Sequence, residues 1–430
     1  MKCVVLVLLA VFPFLAGCAQ VTAASAPAPK SRYSSGATAT STPVPTATLV
    51  RELIATVTAG LPPVATVAPP GRGSLGIRGV AAIPLGNDSS GQPLFAVVSQ
   101  GLRNFSTHQT QFIAIYARPA SGFRKLAQLD LSSSDFIGPG AVTQVHLDRQ
   151  QIWLQVTSGA GANGGCFDVL SFDGTNLRDE AHQCLADPNR SHLADIDGDG
   201  VPEVVLDRSD NLIFCHACGV AKFVFKVLKW NGSAMVPLDL TPLPASAPAD
   251  LRDPTNQAVQ LANAGLWQEA EATIAPISAR TSAVQEPIVA ADAGLIRLYA
   301  DAFANQAKKG PYPLLDNVFY GDYPAALGVL YPLTPAQIFS PRTPLIAGTV
   351  AHGFEKSLEQ QITTSTNAAI GAEPDLAVAY FLRGWAIYLA KPNDPQVLGD
   401  VSRAAQLAPT DPLFTASVAY LQAGSASYGK

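Results

Sequence analysis

In the first half of the sequence, apolar residues alternate with polar ones over short runs; in the second half they recur every three to four positions. The short runs fall at 94–98, 112–116, 123–131, 141–147, 152–156, 167–172, 203–206, 223–230 and 235–240. They are rich in β-branched and aromatic residues and bounded by Gly, Asn, Asp, Ser or Pro, which predicts strands. Asp173-Gly174 and Asn231-Gly232 directly follow aromatic strand ends and mark two tight hairpins, with Ser121-Gly122 a weaker third. Gly122, Gly174 and Gly232 stand 52 and 58 residues apart, the spacing of a blade-sized repeat. An echo precedes each of them: Gly91-Gln92-Pro93-Leu94, then the degenerate Asp148-Arg149-Gln150-Gln151-Ile152, then Gly200-Val201-Pro202-Glu203. The region therefore parses as three four-stranded meanders at about 80–130, 140–188 and 190–243. Closed propellers use about four to eight blades, so three units predict a partial propeller or an open β stack.

Past Pro244-Ala245-Ser246-Ala247-Pro248 the pattern becomes helical. Residues 257–264 and 266–277 flank Gly265 as helix, turn, helix, and 321–327 repeats the turn and second helix. The clearest pair is 374–388 with 395–408, stopped by Pro409, and a further helix follows at 412–422. Residues 334–345 and the patch Thr363-Thr364-Ser365-Thr366 read as loops or irregular joints. The fold class expected is multidomain α+β, with N-terminal all-β blade-like repeats followed by an all-α array of helical hairpins. The helical pairs resemble tetratricopeptide units, with Gly265 at a turn, Ala270 in the close helix contact, and Gly384, Ala404 and Pro409 at the matching places of the last pair. Arg383 stands where that pattern prefers Leu, and one residue is inserted near Asn393. The resemblance implies a degenerate tetratricopeptide-like array whose concave face docks a protein or peptide partner.

Composition places the chain. Charged residues make up 14%, which is low for a cytosolic protein, and net charge is -5 with no basic run interleaved with aromatics, so nucleic acid is not an expected partner. Lys2, an apolar run over 3–15 and Leu15-Ala16-Gly17-Cys18 read as a secretory signal, because the run is short for a membrane span. Leu-Ala-Gly-Cys resembles the bacterial lipobox, which implies a lipoprotein signal peptide over 1–17, diacylglycerol on the Cys18 thiol, and lipid anchoring on the extracytoplasmic face of a bacterial membrane. Residues 18–74 are dominated by Ala, Thr, Ser, Pro and Val and read as a disordered tether, with a marginal helix at 49–57 where Leu49, Leu53 and Val57 share a face. Such a tether reaches roughly 40 Å as a coil and up to about 170 Å extended. The folded regions are then 75–245 and 250–424.

Candidate chemistry concentrates in Asp195-Ile196-Asp197-Gly198-Asp199-Gly200-Val201-Pro202-Glu203. Carboxylates at alternate positions, a carbonyl between, and glycines at sharp turns suit a hard cation that takes oxygen ligands, Ca²⁺ above all. Three aspartates so close repel one another unless a cation sits among them. Residues 193–206 resemble the FG-GAP or VCBS-type repeat of bacterial surface proteins and integrin propellers, where such a loop joins two strands and binds Ca²⁺. Carried over, the ligands are the side chains of Asp195, Asp197, Asp199 and Glu203 and the carbonyl of Val201. The last ligand is Glu where Asp is commoner, and the first two repeats lack the carboxylates, so one structural Ca²⁺ site is implied at most. An EF-hand is excluded, because Leu206 stands where a bidentate Glu is required and a strand follows where a helix should begin.

After Cys18 four cysteines remain. Cys166 and Cys184 lie nearly symmetrically about the 173–176 turn, which favours a cross-strand disulfide. Cys215 and Cys218 form a CxxC that reads first as a structural disulfide, with metal binding or redox function as alternatives; a c-type haem would need His where Gly219 stands. His108, His146, His182, His192, His216 and His352 are scattered singly, and no Gly-x-Ser-x-Gly or His-Glu-x-x-His occurs. The function expected is therefore a non-enzymatic, lipid-anchored cell-surface binding or scaffold protein. The alternative is an envelope hydrolase acting on polysaccharide or peptide through an unrecognised active site.

Overall fold

The computed structural model describes residues 44–61, 76–102, 109–138, 140–161, 164–185 and 190–428. The expected signal peptide, Cys18 and most of the expected tether lie outside the described residues. Among the described residues, twelve strands form three four-stranded antiparallel sheets, each built from consecutive strands. The first sheet holds β1 (Gly76–Asn87), β2 (Pro93–Leu102), β3 (Gln111–Ala117) and β4 (Arg124–Leu131). The second holds β5 (Val142–Val145), β6 (Ile152–Ala160), β7 (Gly164–Phe172) and β8 (Leu177–Leu185). The third holds β9 (His192–Ala194), β10 (Glu203–Asp207), β11 (Phe225–Trp230) and β12 (Met235–Pro237). These are the three expected meanders, although 235–240 contributes a strand only as far as Pro237.

Strand alternation sends side chains to two faces, and in each sheet both faces are apolar. Leu94, Ala96 and Val98 of β2 pack with Leu154, Val156, Leu170 and Phe172 of the second sheet. On its other face the second sheet presents Trp153, Phe167 and Val169 to Val204, Leu206 and Leu228 of the third. The rings of Trp153 and Trp230 meet edge to face at 4.9 Å across that interface. The outer face of the first sheet, with Val80, Phe95 and Val97, is covered by helix α1 (Thr46–Ala59) through Leu49 and Leu53. Leu53 is fully buried. This corrects the tether for part of its length: the prolines flank the helix without interrupting it, and its apolar stripe has a sheet to bury against.

The second half is helical. It comprises α2 (Ala249–Asn263), α3 (Trp267–Ser278), α4 (Pro287–Lys309), α5 (Pro313–Tyr320), α6 (Tyr323–Leu330), α7 (Pro335–Ile338), α8 (Glu355–Ala372), α9 (Ala377–Ala390), α10 (Pro395–Leu407) and α11 (Pro412–Tyr428). None of the described helices is long and apolar enough to cross a membrane. Sequential helices pack on one another, α2 on α3, α5 on α6, α8 on α9 and α9 on α10. The turn glycines of the first two hairpins abut: a Cβ on Gly321, at φ +82°, would lie 2.7 Å from the Leu266 Cα and 2.8 Å from the Gly265 carbonyl oxygen. Thr363–Thr366, expected in a loop, lies inside α8, where the Thr366 hydroxyl donates to the Ile362 carbonyl at 2.7 Å and so keeps a polar side chain satisfied in a helix. Arg383, the departure from the tetratricopeptide pattern, grips Asp400 of α10 through two hydrogen bonds of 2.8 and 2.6 Å. A bidentate charged pair there replaces the apolar contact that Leu would make.

The two halves share a core. Residues Thr46–Lys430 form one compact unit, in which Ile213, Phe214, Val220 and Phe223 between β10 and β11 pack among the helices. Helix α4 lies on the free face of the third sheet, with Leu295 against Val205 and Val227. The Tyr299 hydroxyl accepts from the Phe225 N–H at 2.9 Å and donates to the Phe225 carbonyl at 3.1 Å, taking the place of a strand neighbour. On the same helix Asp292 is fully buried and accepts from the Thr241 N–H at 2.9 Å.

Burial pushes the Asp292 carboxyl up to about 7, against the opposing effect of the Thr241 N–H. The folded chain therefore holds this proton more tightly than the unfolded chain, and stability falls as pH rises from about 4 through about 7. Asp292→Asn, which keeps the acceptor for Thr241, should raise stability at pH 8 by on the order of 3 kcal/mol and have little effect near pH 4, as read by urea denaturation at both pH values.

Candidate metal centre

The expected ligand loop lies between β9 and β10, at the end of the third sheet that faces α4. Asp195, Asp197 and Asp199 converge, each offering a carboxylate oxygen within 4.8 Å of the others. Local hydrogen bonding shapes the turn. Asp195 accepts from the N–H groups of Gly198 at 2.8 Å and Gly200 at 3.1 Å, and Asp199 accepts from Val201 N–H at 2.8 Å. Glu203, fully buried at the start of β10, reaches back to accept from the Ile196 N–H at 2.8 Å. Its other oxygen, Oε1, is buried without a hydrogen-bond partner.

A cation does sit among these carboxylates, and it belongs to the chain. Lys229 of β11 directs its ammonium to Asp197 in a short hydrogen bond, to Asp199 at 2.6 Å and to Glu203 Oε1 at 3.5 Å. Partial burial disfavours the charged ammonium, but the hydrogen bonds it donates to Asp197 and Asp199 outweigh it and raise the Lys229 pKa above the ordinary lysine value. Asp199 is held below the ordinary carboxylate range despite some desolvation, because Lys229 and the Val201 N–H bond its charged form. Burial pushes Glu203 up, with the Ile196 N–H opposing. The repulsion that makes three adjacent aspartates ask for a cation is thus relieved by an ammonium group at hydrogen-bond distance.

The loop is also a structural joint. Gly294 of α4 lies so close to it that an added Cβ would fall 1.7 Å from the Ile196 carbonyl oxygen, so only glycine fits there. Ile196 itself packs with Leu295 and Leu298 of α4. Sequence reasoning named the carboxylates and missed Lys229 and Gly294. A signal for Lys229 exists in the strand register: Val204 pairs with Leu228, so the next step places Lys229 beside Glu203.

The four cysteines after Cys18 are all paired. Cys166 and Cys184 stand opposite each other in the β7–β8 register and are bonded, as the hairpin predicts. Cys215 and Cys218 close a disulfide around the short 3-10 turn His216–Cys218. Gly219 follows this turn, and its carbonyl accepts from the Gln306 side chain of α4 at 2.8 Å. Comparison of the chain with protein-family models, with curated proteins and with solved structures finds no match.

Replacing Lys229 with Met removes the only cation that the described residues place among Asp197, Asp199 and Glu203. In a chelator the variant should lose about 2 kcal/mol at neutral pH, less than a fully buried pair would cost because Lys229 is partly exposed. Because the Asp199 carboxyl is depressed, its contribution is present above its ordinary value of 3.8 and fades as pH falls further, so the deficit should shrink below pH 4. Chemical denaturation of both proteins at pH 7.5 and pH 3.5 measures the difference.

Proposed function

We propose that the chain is a non-enzymatic, lipid-anchored protein of the extracytoplasmic face of a bacterial envelope, in which a stack of β repeats carries a helical array that docks a protein or peptide partner. The observation that carries the docking half is the turn-on-turn contact of Gly321 with Gly265 and Leu266, which stacks the α2–α3 and α5–α6 hairpins as successive units. Stacked helical hairpins present a continuous face of the kind that binds extended segments. The two disulfides support an oxidising compartment. The Leu15-Ala16-Gly17-Cys18 sequence supports acylation of Cys18.

Within this reading the acidic loop is an FG-GAP-like structural site for one Ca²⁺, held by the carboxylates of Asp195, Asp197, Asp199 and Glu203 and the carbonyl of Val201. The donors are hard oxygens, and Glu203 Oε1, which has only the 3.5 Å ion pair with Lys229 and no hydrogen bond, suits a cation. Lys229 bonds the same carboxylates, so Ca²⁺ and the ammonium are competitors and the ion binds only as Lys229 withdraws toward solvent. When bound, Ca²⁺ supplies the charge compensation that Lys229 otherwise gives.

Two readouts test the proposal on the same protein. An alkyne fatty acid fed to the producing bacterium should label the wild type and not Cys18→Ala, and protease added to spheroplasts should reach the chain. Ca²⁺ should raise the melting temperature of wild type slightly and that of Lys229→Met by several degrees, with the gain lost in Asp197→Ala. Unlabelled, protease-shielded protein would remove the anchor and the envelope. Calcium-independent melting of both proteins would leave the loop as a turn closed by lysine.

A further inference from the structure

The β7–β8 hairpin carries a second convergence of ligand-type side chains, apart from the acidic loop. The register sets Asp168 opposite His182, one step along from the Cys166 and Cys184 pair, so these four residues share one face of the sheet. Strict alternation would send Asp179 to the other face, three positions from His182. The register slips between Val169 and Leu170, however: Glu180 is the extra residue, and Asp179 comes opposite Leu170. On the far face the Ser171 hydroxyl donates to Glu180 at 2.6 Å and holds the bulged residue there. The bulge thereby returns Asp179 to the face of Asp168 and His182.

The three side chains then offer donor atoms within 4.8 Å of one another. His182 Nδ1 lies 2.5 Å from Asp168 Oδ1 and 3.9 Å from Asp179 Oδ2. The Asp168 side chain is 2% exposed, and its Oδ2 has no hydrogen-bond partner. All three residues line a pocket of about 200 Å³ whose opposite wall is the end of β4 and the turn after it, including Asp130 and Ser133. His182 Nε2 faces the Cys184 sulfur at 3.3 Å. A disulfide sulfur has no hydrogen to give, so Nε2 is the donor, and the ring reaches Asp168 with Nδ1. At 2.5 Å, Nδ1 and the Asp168 carboxylate share a proton, and a cation takes that proton's place only as the two side chains move apart to about 3 Å.

We propose that Asp168, Asp179 and His182 form a binding site for a divalent transition metal of the zinc class. An imidazole nitrogen with two carboxylates is a donor set for such an ion, whereas Ca²⁺ takes oxygen throughout. The Nε2 contact with Cys184 fixes the ring so that Nδ1 points into the site, the role an outer partner plays for a ligating histidine. The Cys166–Cys184 bridge is two residues from Asp168 on one strand and from His182 on the other, and locks the register that aligns them. Coordination positions not filled by the protein open onto the pocket, where water or a small anion has access.

The test uses the purified full-length protein with disulfides intact, stripped with chelator and desalted, then titrated with CoCl2 and with ZnCl2. One equivalent of Co²⁺ should give visible d–d absorption that Zn²⁺ abolishes, and Zn²⁺ should shift the His182 Nδ1 resonance. Asp168→Asn and Asp179→Asn should each weaken binding at least tenfold, and His182→Gln should remove the absorption. Asp197→Asn, in the acidic loop, should leave it unchanged, which separates this site from the Ca²⁺ reading. Near-ultraviolet circular dichroism matching wild type, with no free thiol at Cys166, Cys184, Cys215 or Cys218, establishes folding. Should Asp168→Asn fail to fold, the partly exposed Asp179 decides. Absence of Co²⁺ absorption in the wild type, or an unchanged Co²⁺ affinity in a folded Asp179→Asn protein, would overturn the site and leave Asp168 and His182 as an ion pair.

Discussion

Each of the three sheets is apolar on both faces, and that single constraint orders the rest of the molecule. A sheet with one polar face can end a structure at water, but Phe95 and Val97 on one side of β2, with Leu94, Ala96 and Val98 on the other, cannot. Each such side chain left exposed forfeits about 1.5 to 3 kcal/mol. Stacking the sheets in chain order buries the inner faces and leaves two outer ones. Helix α1 covers the first through Leu49 and Leu53, and α4 covers the last through Leu295. A closed ring of blades solves the same problem by having no end. Here a helix covers each end of the stack.

The acidic loop sits where the last sheet meets its helical cover. Ile196 packs on α4 over Gly294, Glu203 starts β10 fully buried, and Lys229 of β11 ties the carboxylates together. The loop therefore fastens the β stack to the helical half whether its charge is balanced by lysine or by a bound ion. Tyr299 and Asp292, on the same helix, hold the neighbouring backbone at Phe225 and Thr241. Three hydrogen bonds along one joint fix the helical half in register with the stack.

Much of this was legible from the residues. The alternation and the recurrent turn glycines give the three meanders, and the symmetry of Cys166 and Cys184 about Asp173-Gly174 gives the hairpin disulfide because a regular register pairs them. The shared face of Leu49, Leu53 and Val57 marks helix α1, but its Ser/Thr/Pro surroundings make it look marginal, since its stability comes from the sheet it covers, which composition does not display. Strand β8 shows only through the Cys166–Cys184 symmetry, because Leu177-Arg178-Asp179-Glu180-Ala181-His182-Gln183-Cys184-Leu185 is polar at most positions and carries no strand signal of its own. Asp179 was doubly hidden, because only the bulge at Glu180 puts it beside His182, and a one-residue slip leaves no mark in an alternating pattern. Lys229 was overlooked as one charge in a strand, because its meaning depends on which strand it faces.

The claim that helix α1 is the first layer of the fold, rather than part of a tether, is tested most directly by hydrogen exchange on full-length wild type and Leu53→Glu. The amides of β1 and β2 should lose protection by one to two orders of magnitude in the variant, while those of β6, β7 and α4 keep theirs. Unchanged protection in β1 and β2 would mean that the outer face of the first sheet needs no cover, and would contradict the layered account.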